Sequence, residues 1–416
     1  MVITQAVVLA AGEGKRLRPL TYTRPKCMIE LAGKPILHHV LANLKEAGVK
    51  KAVIIVKYKE EVIRNYFAKT DLGLQIEFIT QGKKYGTAAA FAEAKSKIDS
   101  TFFAVAGDVI STPKALKELA NSHEGKICAL LKEVENPEQY GIAEVQNGFI
   151  SKFAEKPKNP PKNALVNCSL YTMEPQIFSI LDSVPKSPRG EYEMTDVIKS
   201  EKTKAIITKE YWLDMGMPWQ LFNANEFLLS QMKEKKGKIE NSTIKGKIIM
   251  EDGAQILDSY VEGPLYLGKN SVIGPHAYIR GTTSIGNNCH IGDSTTVKNS
   301  IVFENVNAKH LAYIGDSVVG ANCNFGAGTQ IANYRFDAGT ITAKLEEVIV
   351  DTQRKKLGAI IGDNVKMGVL SSVMPGKIIA NNCWIGAGAV ITENIEQNTH
   401  VQLVQTLTKS KIKSHE

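Results

Sequence analysis

The chain has 416 residues, 43% hydrophobic and 23% charged, a globular composition long enough for two domains, each with its own core. Its formal charge is +8, but the lysines and arginines are scattered along the whole chain, which argues against a nucleic-acid-binding arm and favours small anionic substrates. Cys27, Cys128, Cys168, Cys289, Cys323 and Cys383 lie far apart with no CxxC pair; this excludes zinc ribbons, thioredoxin-type motifs and a disulfide framework, and fits a reducing cytoplasm.

The first residues, MVITQAVVLAAG, carry an apolar stretch with no basic region before it and run on into GEGKR. They read as a buried strand and a loop, not a signal peptide. No segment approaches the roughly 18 apolar residues of a membrane span. Ala6–Leu9, Ala52–Val56 and Thr101–Ala106 read as short strands, and Ile36–Ala47 has helical spacing. Such alternation predicts βαβ units and a mostly parallel sheet covered on both faces.

Between the first strand and that helix lies LAAGEGKRLRPLTYTRPK, Leu9–Lys26. Around Leu9, Ala11, Gly12 and Gly14 a glycine-rich loop can bring backbone N–H groups close to phosphate oxygens. Arg16 and Lys26 would neutralise a triphosphate. Leu17 stands where a dinucleotide fingerprint needs its third glycine, and no Walker GKS or GKT follows.

Past the charged stretch Gln231–Ser242 the periodicity changes. Leu267, Ile273, Ile279, Ile285, Ile291 and Val297 recur every six residues, with glycine after four of them. Tyr313, Val319, Phe325 and Ile331 keep the same spacing, as do Ile361, Met367, Val373, Ile379, Ile385 and Ile391, and the shorter series Ile244, Met250 and Ile256 comes first. Period six fits neither helix nor plain strand and predicts a hexapeptide β-helix. The expected domains are residues 1–235 and 240–408, with a polar, mobile end from Thr408. The rhythm lapses between Val297 and Tyr313, where Lys309-His310-Leu311 sits. His276, His290 and His310 contain no close pair, which disfavours a three-histidine zinc site on the coil.

The Leu9–Lys26 string resembles the signature of sugar-1-phosphate nucleotidylyltransferases: a Gly-rich loop, then R-x-x-P-x-T (Arg16–Pro19, Thr21) and P-K (Pro25-Lys26). Further matches follow in order: Gln81 before Gly86-Thr87-Ala88, Gly107-Asp108, Tyr140-Gly141, Glu155-Lys156-Pro157, Asn167 and Trp212–Gly216. The resemblance implies a sugar 1-phosphate attacking the α-phosphate of UTP or dTTP. Asp108 and Asp214 would hold Mg²⁺ and Gln81 would read the base. Gly86 and Thr87 would belong to the nucleotide site, and Gly141, Glu155, Asn167 and Lys156 would take the sugar phosphate.

HLAYIGDSVVGANCNFGAGTQIANY resembles the acetyltransferase half of the bacterial bifunctional family that makes UDP-N-acetylglucosamine, in which H-L-x-Y-x-G-D, N-x-G-A-G and N-Y recur in this order. The resemblance implies His310 as general base, with Tyr313, Asn324, Asn333 and Tyr334 on the amino sugar. Arg280 and Lys298 would meet its phosphate, and Ala327 and Ala387 would meet acetyl-CoA. That family has lysines soon after its N-Y pair. Here RFDAGTITAK follows, so either Arg335 substitutes or the sugar differs, with glucosamine and galactosamine phosphates both open. Residues 335–358 read as a loop leaving the coil, able to reach a neighbouring subunit. The whole chain is thus expected to be α/β, with a Rossmann-like nucleotidyltransferase domain and a left-handed parallel β-helix. It would be a cytoplasmic homotrimer performing both reactions without nucleic acid or membrane. The rival readings are a single-activity nucleotidylyltransferase with a regulatory or oligomerising coil, and a non-enzymatic assembly subunit.

Overall fold

The computed structural model describes residues 1–411; the last part of the polar end expected from Thr408 lies outside the described residues. Contacts divide the chain into two compact units, one essentially Met1–Ala224 and the other from Asn225 onward.

The first unit is built on β1 (Gln5–Ala10), β2 (Lys51–Val56), β3 (Gln75–Thr80), β4 (Phe102–Ala106), β5 (Val109–Ser111), β6 (Ile127–Val134), β7 (Gly141–Gln146), β8 (Phe149–Glu155), β9 (Ala164–Met173), β10 (Lys204–Ile207) and β11 (Trp212–Asp214). Nine of these form one sheet in the order β3-β2-β1-β4-β9-β6-β10-β8-β7. The parallel pairing expected from βαβ alternation holds for β3, β2, β1 and β4. Beyond β4 the sheet is mixed, because β9 runs antiparallel to both β4 and β6. Strands of the parallel part are apolar throughout: Val7, Val53, Ile55, Phe102 and Ala104 are buried in one core, as sheets covered on both faces require. The predicted helix appears as Ile36–Glu46 and buries Ile36, Leu37, Val40, Leu41 and Leu44, the one-sided stripe of a 3.6-residue period.

The second unit is a parallel β-helix of three sheets with nine, eight and seven strands. Each turn of chain puts one aliphatic residue inward on each face. Ile273, Ile279 and Ile285 make one layer, Ile291, Val297 and Val302 the next, and all are buried. Full burial of such a side chain contributes roughly 1.5–3 kcal/mol, and stacking repeats that each one so that no repeat needs a core of its own.

The apparent lapse after Val297 is not a break. Val302, Ala308 and Ile314 continue the stack in register with Ile285, Ile291 and Val297. Two corners are one residue short, Val297 to Val302 and Ile314 to Val319. The inward residue of that strand is therefore fully buried Ile314, and Tyr313 faces outward. A strict six-residue count hid this, since an alanine and a shortened corner carry no periodic signal.

Asparagines at the corners take the left-handed conformation, among them Asn305, Asn322, Asn364, Asn382 and Asn398, a backbone state their side chains tolerate. Their amides bond each to the next in one file, at 3.0, 3.2, 2.9 and 3.0 Å. The expected excursion is real. After Ile331 the chain leaves the coil, forms an antiparallel hairpin (Thr342–Leu345 with Val348–Asp351), and rejoins at Ile360–Ile361.

Candidate active sites

In the first unit a cleft of about 270 Å³ opens at the carboxyl ends of β1 and β4, lined by Leu9, Gly12, Gly14, Arg16, Lys26, Asp108 and Gly216 among others. This is the usual ligand position of an open α/β sheet. Gly107 lets the two strand ends meet: its N–H donates to the Leu9 carbonyl, and a Cβ there would sit 2.7 Å from that oxygen. Gly14 is left-handed, and a Cβ on it would press within 2.7 Å of the Lys26 side chain. The Thr21 hydroxyl donates to the Gly14 carbonyl, closing the loop on itself.

Lys26 lies at the base of this cleft, 2.7 Å from Asp108 Oδ2 and 3.0 Å from Asp214 Oδ1. Asp108 sits in the turn between β4 and β5 and Asp214 ends β11; they are brought together because β11 pairs with β5 and sets Asp214 beside Val109. Burial disfavours the lysine's charge, but Asp108 and Asp214 outweigh it and hold the ammonium above its ordinary range. Two hard carboxylates facing one cation position suit Mg²⁺, which takes one or two protein carboxylates and completes its shell with phosphate and water.

A second hollow of about 140 Å³ shares Arg16 and Gly216 with the first and is lined by Tyr140, Gly141, Glu155, Lys156, Asn167 and Asp214. It therefore gathers every sugar-phosphate residue expected of this unit. Gly141 leaves room that a Cβ would take, 2.5 Å from the Phe153 ring. Asn167 donates to the Tyr171 hydroxyl at 2.6 Å and accepts from Ser169 N–H. Burial, reinforced by the nearby Asp214, pushes the Tyr140 phenol up to about 12, so it stays a neutral donor. Gln81, Gly86 and Thr87 line neither hollow. Gln81 is buried with its amide on the Lys84 carbonyl, 3.0 Å away. Gly86 has no space for a Cβ against the Tyr192 backbone, and the Thr87 hydroxyl accepts from Met194 N–H. These residues shape the loop between β3 and the helix Thr87–Ala92.

On the coil, His310 occupies an exposed corner. Its Nδ1 is 2.8 Å from Asp293 Oδ2, one coil earlier. A carboxylate on Nδ1 fixes the proton there and leaves Nε2 with its lone pair. Asp293 escaped the sequence reading. Its signal is a spacing of 17 residues before His310, the coil length on which both positions share one corner. The turns above follow in file: Gly328 N–H donates to His310 O, Leu370 N–H to Ala327 O, and Gly388 N–H to Val369 O. Ala327 and Ala387 thus belong to the same column of turns as His310.

Arg280 and Lys298 are neighbours in register on the adjoining face. Lys298 Nζ is 3.0 Å from Asp316 Oδ2, and Asp316 also accepts from Asn299 and Asn333, whose amide lies 3.2 Å from the Tyr313 hydroxyl. Buried Asp316 is thus the hub joining Lys298, Asn299 and Asn333, a position the sequence did not announce. Asn324 is outward on the face preceding the His310 corner, in register with Asn307, and Tyr334 is exposed at the start of the excursion. Asp316→Ala is expected to lower the unfolding free energy by about 3 kcal/mol, because it leaves the largely buried Lys298 ammonium unpaired. Denaturant titration checks this, and an unchanged midpoint would refute the hub.

Comparison with known proteins agrees with both halves. The nucleotidyl transferase family profile matches residues 5–231. Profiles described as the GMPPB C-terminal domain and the hexapeptide repeat of succinyl-transferase match residues 261–368 and 358–393. The chain is 42% identical to a Methanocaldococcus jannaschii protein named bifunctional protein GlmU, over 98% of this chain and 100% of that one. It is 36% identical to the bifunctional sugar-1-phosphate nucleotidylyltransferase/acetyltransferase of Sulfurisphaera tokodaii, over 94% and 98%. A solved UDP-glucose pyrophosphorylase, at 22% identity and TM-score 0.50, covers 55% of this chain and 100% of that one, and shows the fold of the first unit. With an intact cleft on the sheet and a paired histidine on the coil, the chain belongs to the family of bifunctional sugar-1-phosphate nucleotidylyltransferases/acetyltransferases.

Proposed function

We propose that this protein carries out two consecutive steps of nucleotide-sugar synthesis: N-acetylation of glucosamine 1-phosphate by acetyl-CoA, then uridylyl transfer from UTP to the product. The observation that carries the reading is that one chain holds both a Lys26–Asp108–Asp214 cleft and a His310–Asp293 pair.

In the uridylyl step a phosphate oxygen of the sugar attacks the α-phosphorus of UTP, the bond to the β-phosphate oxygen breaks, and pyrophosphate leaves. Arg16 and Lys26 neutralise the charge that accumulates, and the backbone from Leu9 through Ala11, Gly12 and Gly14 surrounds the phosphates. Mg²⁺ held by Asp108 and Asp214 supplies further charge neutralisation when bound. Tyr140, Glu155, Lys156 and Asn167 orient the sugar.

In the acetyl step the free amine of the sugar attacks the thioester carbonyl. His310 Nε2 accepts the amine's proton and returns it to the departing thiol sulfur. Asp293 keeps Nε2 the basic nitrogen. Tyr313, Asn324, Asn333 and Tyr334 seat the amino sugar, Arg280 and Lys298 its phosphate, and the column of turns at Ala327 and Ala387 follows the acetyl-CoA arm. A cytoplasmic homotrimer accords with this reading. The excursion exposes Phe336, Val348 and Ile349, apolar groups suited to a neighbouring coil.

Incubation with glucosamine 1-phosphate, acetyl-CoA, UTP and Mg²⁺ is expected to yield UDP-N-acetylglucosamine, pyrophosphate and free CoA. With acetyl-CoA withheld, N-acetylglucosamine 1-phosphate should still be uridylylated. Pyrophosphate release without acetyl transfer on glucosamine or galactosamine 1-phosphate would leave the single-activity enzyme standing instead.

A further inference from the structure

The sugar hollow of the first unit has a wall residue outside the motifs read from the sequence. Ser169 lines it beside Asn167, Tyr140, Glu155 and Lys156. Its backbone is left-handed, at φ +55°, although it stands inside β9. Among the described residues it is the only strand residue in that state. A Cβ is penalised there and glycine is not. Lys156, just past β8, is also left-handed, at φ +44°, so two such side chains wall one hollow of about 140 Å³. Backbone states of this kind persist where the surrounding structure and function require them.

A bulge produces the conformation. Asn167 pairs with Leu131 and Tyr171 with Ala129. Between these pairs Cys168, Ser169 and Leu170 of β9 face Leu130 alone on β6. Cys168 and Leu170 stay buried, and Ser169 is half-buried at the wall. Its N–H donates to Asn167 Oδ1 at 3.1 Å, and the Asn167 amide donates to the Tyr171 hydroxyl at 2.6 Å. The Ser169 hydroxyl donates to the same phenol, which burial holds well above its ordinary range and so keeps neutral. A hydroxyl has one proton and two lone pairs. With its proton on Tyr171, Ser169 has only lone pairs left for a ligand.

We infer that Ser169 is a sugar-specificity residue of the uridylyl-transfer site, its hydroxyl oxygen accepting a hydrogen bond from one ring hydroxyl of the sugar 1-phosphate. This rests on the uridylyl half of the function proposed above. Glycine would suit the backbone better, and what serine adds is an oriented acceptor in the wall of the hollow. An acceptor needs a donor opposite it. A sugar hydroxyl supplies one and a phosphate oxygen does not, which leaves the phosphate to Arg16 and Lys156. The bulge therefore spends backbone comfort on reading the sugar ring.

Pyrophosphate release tests this with UTP and N-acetylglucosamine 1-phosphate or its 3-deoxy, 4-deoxy and 6-deoxy analogues, in wild type, Ser169→Gly and Ser169→Ala. Both variants lack the hydroxyl, but only Ser169→Gly relaxes the backbone, so it should melt above Ser169→Ala. Both should raise the KM for N-acetylglucosamine 1-phosphate about threefold to tenfold, the value of one neutral hydrogen bond, with the KM for UTP unchanged. In wild type one deoxy analogue should show the same rise, and on that analogue neither variant should lose anything further. An unchanged KM for N-acetylglucosamine 1-phosphate overturns the inference. So does an equal further loss on all three analogues, which would mark a structural role or a contact to the acetamido group. A raised KM for UTP, or Ser169→Gly melting below Ser169→Ala, overturns it as well. A wild-type protein that releases no pyrophosphate with any of these sugar phosphates overturns the uridylyl reading first, and this inference with it.

Discussion

Asp108→Asn is expected to reduce uridylyl transfer by about three orders of magnitude, the upper range for losing one preorganised electrostatic group in a phosphate-handling site. The substitution keeps the shape of the side chain and removes its charge. Lys26 then faces Asp214 alone, and Mg²⁺ would lose one of its two carboxylates. Pyrophosphate release measures the loss, and the Mg²⁺ concentration giving half-maximal rate should rise with it. Acetyl transfer by the same variant should be untouched, because His310 belongs to the other compact unit. A variant within tenfold of wild type in uridylyl transfer would remove Asp108 from the chemistry.

His310→Ala should have the mirror effect. A positioned general base contributes about two to four orders of magnitude, so acetyl-CoA turnover should fall by roughly a thousandfold with uridylyl transfer intact. Asp293→Asn sharpens the test. An amide can offer Nδ1 a hydrogen bond from either end, so the imidazole no longer has one enforced tautomer. Its loss should be smaller than that of His310→Ala and confined to kcat. Equal acetyl transfer by wild type and His310→Ala would end the assignment of this histidine as the base.

Much of this was legible in the sequence because the coil writes its inward residues every six positions and the cleft writes its glycines and cations in one loop. What escaped has a common cause: proximity across coils or strands rather than along the chain. Asp293 meets His310 only because successive turns stack in register, and Asp316 gathers Lys298 and Asn333 from the coils on either side. Asp214 and Asp108, which the resemblance did name together, meet in the same non-local way, through a strand pair formed by residues about a hundred positions apart, as the register of Trp212–Asp214 with Val109–Ser111 records. The lapse after Val297 misled for a different reason. Two corners shortened by one residue shift the phase of the repeat, so a half-buried, outward-facing tyrosine fell where the count wanted an aliphatic and the true inward residue, Ile314, stood one place later. The backbone bridge between Tyr334 and Lys356 is the extreme case, since only a completed hairpin brings the two together.

The file of corner amides passes from Asn322 directly to Asn364, spanning the excursion with a bond of 3.2 Å that differs little from its neighbours. The coil therefore closes behind the hairpin as if nothing had been inserted there. Rigidity resides in the stack, and the detour is carried outside it. A change in the length of the detour therefore leaves the column of coils on either side in register.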